Sequence, residues 1–209
     1  MSLSILVGVL ADTRENNPEI FDEYEKQFEL INTVLSENKL SQYVESVDAL
    51  PWSDPLGFGG FPYSWIHYLR RYYAHRLAAP DIIPAPMPAR QRVTDDPVLR
   101  RMSSRKSHLI YHSDCEGFYV PADFPDVIED ERVPGLMLGS TQRLLAELRT
   151  LAEPLGFAGI SKSIPNEQIE HVLKEQEQET PYFIERSTWL TLFTAANYSL
   201  DSSAAILFA

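Results

Sequence analysis

One cysteine, Cys115, stands in 209 residues, so the chain has no partner for an internal disulfide and no thiolate set for a structural zinc site. That usage suits a reducing compartment, and the cytoplasm is the expected location. Long apolar runs are missing too. Nothing approaches the roughly 18 residues a membrane helix needs, and no membrane partner is expected. The opening MSLSILVGVLA carries no basic stretch and no small-residue cleavage site, so it reads as a strand rather than a secretion signal. Positive charge is scarce: 18 Lys and Arg face 30 Asp and Glu, a formal net charge of −12. Such a chain repels phosphates on average, which excludes nucleic acid as the expected partner. No HExxH, paired CxxC, calcium loop or GxSxG elbow occurs. Gly57, Gly59 and Gly60 precede a helical stretch but have no Lys after them, as a phosphate loop would require. No cofactor and no metal are expected.

What is present is ordinary for a globular fold: 44% apolar and 23% charged residues, in a length that suits one domain over 1–209. The charge is unevenly spread. Residues 1–50 hold 10 acids and 3 bases, residues 107–209 hold 16 and 6, and residues 51–106 reverse the balance with 4 and 9. The basic middle is expected to complement the acidic flanks.

Leu3 to Ala11 is nearly all apolar and reads as a strand buried on both faces. Ile20, Phe21, Tyr24, Phe28, Ile31 and Leu35 recur at three- and four-residue spacing with acids between them, predicting an amphipathic helix over 18–36. Pro62 opens a second helix through Leu77, and Pro80 stops it. Residues 80–98 form a Pro-rich ordered loop. Three further helices are expected near 141–155, 167–179 and 181–196, with a last strand at 204–208. Helices and strands interleave, predicting an α+β domain whose mixed sheet has four to five strands, with about five helices packed on it.

The stretch SHLIYHSDCEGFYVPADFP, residues 107–125, holds two of the five histidines, the only cysteine and the cluster Asp114–Cys115–Glu116. Leu109–Ile110–Tyr111 and Phe118–Tyr119–Val120 are short β-like runs, and Asp114 to Gly117 suits a turn. A hairpin over 107–122 is expected, inside the sheet, with His112, Asp114, Cys115 and Glu116 at its tip. Those four are the catalytic candidates, since imidazole, carboxylate and thiolate supply base, orienting group and nucleophile. Two carboxylates beside Cys115 oppose thiolate formation, which counts against that role. His108 and His112 lie roughly 13 Å apart on a strand, too far to share one metal. Trp65, His67, Arg70, Arg71 and Tyr119 are the ligand-binding candidates. The same groups equally suit a structural staple in which Arg70 or Arg71 pairs with Asp114 or Glu116.

Three segments, FPYSWIHYLRR (61–71), HLIYHSDCEGFYVP (108–121) and LGSTQRLL (138–145), together resemble a group of bacterial proteins of about this length with no established activity. The resemblance implies a bacterial, cytosolic, single-domain protein and transfers no site. The function expected is a non-catalytic binding or interaction domain, such as an immunity or accessory factor, with a protein or small polar ligand as partner. A hydrolase-like enzyme using the 112–116 tip is the alternative.

Overall fold

The computed structural model describes residues 2–48, 52–57, 59–87 and 91–209. Its strands are β1 (Ser2–Val7), β2 (Gly60–Pro62), β3 (Gly117–Val120), β4 (Ile128–Glu129), β5 (Met137–Ser140) and β6 (Ile206–Phe208). Its α-helices are α1 (Val9–Asn16), α2 (Pro18–Glu37), α3 (Tyr63–Ala78), α4 (Pro97–Met102), α5 (His108–Tyr111), α6 (Thr141–Ala152), α7 (Asn166–Gln178) and α8 (Phe183–Ser202). The class is α+β, with six strands in one sheet and eight α-helices among the described residues. The excess over four to five strands and about five helices has a plain cause. β2, β4, α4 and α5 span three, two, six and four residues, too short to leave a periodic signature. In addition, α1 takes residues 9–11 that were expected to continue the first strand, which ends at Val7 before the left-handed Gly8.

The sheet runs β2-β1-β6-β3-β5-β4. The β3–β5 pair is parallel and the other described pairs are antiparallel. Leu3, Ile5, Tyr119, Ile206 and Phe208 face a core shared with α3, α6 and α8. Phe118, Val120, Leu138 and Leu207 face the opposite core, where Phe28, Ile31, Val34 and Leu35 of α2 pack. β1 is not buried on both faces, as its composition suggested: Leu3, Ile5 and Val7 point inward while Leu6 is 39% exposed. One inward face is enough to account for its apolar alternation.

The amphipathic helix lies over 18–37, with Phe28, Ile31, Val34 and Leu35 buried and Phe21 half-buried. Residues 43–47 cross the surface irregularly, pinned where the Asn32 side chain bonds both the carbonyl and the amide of Tyr43 at 2.7 Å. Within 80–98 a 3-10 turn forms at Val93–Asp95, and Asp96 caps α4 by accepting from the Val98 and Leu99 amides. Residues 88–90 of that expected loop lie outside the described ones.

The expected hairpin over 107–122 is half corrected. Its second arm is β3, an interior strand between β6 and β5. Its first arm is not a strand but the helical turn α5. Ser107 caps it by accepting from the Ile110 amide at 3.1 Å. Glu147 of α6 accepts from the His108 amide at 3.0 Å and the Leu109 amide at 2.6 Å. Arg70 of α3 closes the other end, donating to the Leu109, His112 and Ser113 carbonyls at 2.8, 2.6 and 3.1 Å. A helix end needs partners for its free amides and carbonyls. Two ionisable side chains from distant helices supply them and override the β preference of Leu-Ile-Tyr.

Candidate functional site

The residues singled out around 107–119 do converge, but on a closed interior. His112 is buried, with Nε2 3.0 Å from the Phe118 carbonyl and its ring stacked on Tyr119 at 4.0 Å. Burial pushes it down to about 3, so it is neutral. Tyr119 is fully buried and donates to the His108 carbonyl at 2.8 Å. His108 accepts the Ser140 amide through Nδ1 at 2.9 Å, and burial lowers it to about 4. The stack depends on Gly139, whose hypothetical Cβ would lie 2.3 Å from the Tyr119 ring and 3.0 Å from that of His112.

Neither arginine makes the expected direct ion pair, although the Arg70 charge acts on Asp114. Arg70 spends its donors on backbone carbonyls, and Arg71 bonds Asp96 at 2.8 Å. The carboxylate at the loop, Asp114, is instead taken by His67 at 2.7 Å, a contact that holds Asp114 down at about 2. The physical reason lies in α5: once that turn is helical, its carbonyls need a donor, and Arg70 is the buried one beside them. His75 joins Arg71 on Asp96 at 2.9 Å. Burial alone would raise Asp96, but these partners and the Leu99 and Val98 amides hold it at about 2. The basic middle therefore neutralises itself in part, through Asp96 and through Arg100 with Asp95, rather than through the acidic flanks alone.

Cys115 and Glu116 are exposed, with the Cys115 Sγ 3.7 Å from the Ser113 hydroxyl. Trp65 stands edge-on to Phe183 at 5.7 Å and borders a cavity of about 260 Å³ with Leu3, Phe61 and Pro62. No group of three or more His, Cys, Asp or Glu side chains among the described residues is close enough to hold a metal. No helix of the described residues is long and apolar enough to cross a membrane.

A different surface carries concentrated, uncompensated charge. The outer face of α2 exposes Glu19, Asp22, Glu23, Glu25 and Glu29, and none of the five has an ion pair among the described residues. The same side of the sheet carries the acidic loop between β3 and β5. There the charges are damped: Arg143 bonds Asp123 at 2.6 Å, Arg105 bonds Glu129, and Arg132 bridges Asp130 at 2.6 Å and Glu37 at 2.5 Å. Five unpaired acids thus line α2, and a smaller exposed set, Glu167, Glu170 and Glu177, lies on α7. Reading the sequence for catalytic groupings passed over these residues. The signal was the acids at three- and four-residue spacing opposite the apolar stripe, which also marks any solvated helix face.

No curated protein and no solved structure matches the chain. A family model matches residues 1–208, and its description is "Putative DNA-mimic protein". That match corrects two expectations. The hydrolase-like alternative at 112–116 gives way, whereas a non-catalytic binding role is consistent with a family described as DNA mimics but was drawn too generally as an accessory role. The expected partner, any protein or a small polar ligand, is too broad for a family described by its imitation of DNA. The expectation that nucleic acid is not the partner is consistent with that description. The match spans nearly the full length, and the chain belongs to this DNA-mimic family.

Proposed function

We propose that the outer face of α2 stands in for a phosphate backbone and occupies the basic surface of a DNA-binding protein. The carrying observation is the unpaired row from Glu19 to Glu29. At 1.5 Å per residue it spans about 15 Å and holds five carboxylates, roughly one per 3–4 Å. A single strand of B-DNA advances about 3.4 Å per phosphate along its axis. Lys26 is the single base in α2, so the row stays strongly negative. Its backbone is fixed by the buried Phe28, Ile31, Val34 and Leu35 on the opposite side of the same helix. Preorganised charge of this kind favours association because little ordering remains to be done on binding.

A competition experiment tests the reading. DNA-binding proteins from the source cells are loaded on an immobilised duplex, and the pure chain is added. The chain should elute a subset of them, and the elution should weaken steeply with salt. A variant with Glu19, Asp22, Glu23, Glu25 and Glu29 all changed to Gln or Asn should elute at least tenfold less, on the order expected from losing several phosphate-like charges. Equal elution by both forms, or none by either, overturns the assignment.

A further inference from the structure

Beyond the acidic face, one buried carboxyl group has an unusual hydrogen-bond arrangement. Glu45 lies in the irregular segment after α2 and is 6% exposed. Its Oε2 accepts the Ala205 amide at 2.8 Å and touches the Tyr43 hydroxyl. Tyr43 Oη also sits 3.0 Å from the Ser203 carbonyl. Glu45 Oε1 is buried with no hydrogen-bond partner among the described residues. No cation pairs with it there either; the nearest segment's ion pair, Arg14 with Asp48, is out at the surface with side chains 60% and 92% exposed.

The proton count decides the state. Tyr43 has one O–H and two acceptors in reach. If Glu45 is ionised, one of the two goes without, and a charged Oε1 is left buried and unsolvated. If Glu45 is protonated on Oε2, its O–H donates to Tyr43 and the Tyr43 O–H donates to Ser203. The Ala205 amide still finds a lone pair on Oε2, and Oε1 becomes a neutral carbonyl oxygen, far cheaper to leave unpaired. The facing groups are few: Tyr43 from the same segment, the Ser203 and Ala205 backbone from the turn between α8 and β6, and the neutral Asn32 of α2, which holds the Tyr43 backbone.

We propose that Glu45 is a proton-held latch, a neutral carboxylic acid that ties the end of α2, through Tyr43, to the turn leading into β6. Burial raises this carboxyl to about 7, in line with the proton count. Losing the proton breaks the chain of donors at its first link, so the two tied segments should loosen together as pH rises.

The test begins with a carbon-detected titration of the Glu45 carboxyl in the intact protein. A midpoint well above the usual glutamate value of about 4.3 supports the latch, and a midpoint at that value overturns it. Hydrogen exchange then follows residues 39–48 and 203–208 at about pH 6 and about pH 8.5, corrected for intrinsic rates. Both segments should lose on the order of tenfold more protection in the natural chain than in Glu45→Gln over that interval. Equal changes in the two proteins, or loosening of one segment alone, overturn the coupling. If Glu45→Gln does not fold, the titration on the natural chain still decides.

Discussion

Glu147 and Arg70 hold opposite ends of a single helical turn. Glu147 takes the His108 and Leu109 amides, and Arg70 takes the Leu109, His112 and Ser113 carbonyls. The acid and the base come from different helices and do not meet each other, yet both act on α5. Glu147→Ala should cost about 2–4 kcal/mol, since it strips acceptors from buried amides. Arg70→Met should cost a similar amount. The double variant should lose less than the sum, because one open end already frees the turn. Urea titrations of the four proteins check this.

Phe28 packs at 5.2 Å from Phe118 and 6.0 Å from Tyr43, ring centre to ring centre. Phe28→Ala therefore removes one of the main contacts between α2 and the sheet, and about 3 kcal/mol or more of stability should go with it. A loss below about 1 kcal/mol in urea would show that α2 is not docked as described.

Gly139→Ala tests the packing of the interior strands. The added methyl group would sit 2.3 Å from the Tyr119 ring, and that ring is locked between His112 and Phe208 at 4.0 and 5.3 Å. A destabilisation of about 2 kcal/mol or more is expected from overpacking, along with a changed near-ultraviolet circular dichroism signal from the displaced Tyr119.

Stability should peak on the acid side of neutrality. His108 and His112 fall to about 4 and 3 in the folded state. The unfolded chain therefore binds more protons below their usual pKa of about 6.5, and the stability they confer above that pH is lost as pH falls. Burial raises Glu45 and Glu147 to about 7. Here the folded chain binds more protons, and the stability present below about pH 4.3 is lost as pH climbs towards 7. Between about pH 4.3 and 6.5 the two slopes oppose each other, giving a plateau. Melting temperatures should drop on both sides of it. A monotonic rise up to about pH 8 would mean that the two glutamates are ionised in the fold.

Long periodic elements were legible in the sequence, and short ones held by distant partners were not. The stripe of Phe28, Ile31 and Leu35 announced α2, and Leu144, Leu148 and Leu151 announced α6, because burial of one helix face needs only local spacing. α5 reads as a strand in isolation, since nothing within 107–113 reveals that Glu147 and Arg70 will cap it. The Arg70 neighbourhood was located correctly, but its partners changed: a carboxylate was expected, and carbonyls freed by the unforeseen helix took its place. The acids of α2 were visible as residues. Their meaning was not, because a solvated face and a charged ligand-like face share one pattern until ion pairs can be counted across the surface.

The acidic row of α2 cannot relax by spreading, because the helix that bears it is clamped to the sheet along its other side. Mutual repulsion is therefore stored in the free protein and withdrawn whenever counter-charge arrives. Simple salt and a basic partner are rivals for that role. Added salt should make the isolated chain harder to melt while making its complex easier to separate, so hardiness and affinity move in opposite directions along one variable. A surface of this kind works as a fixed charge ruler, and its tension is lowest when something lies against it.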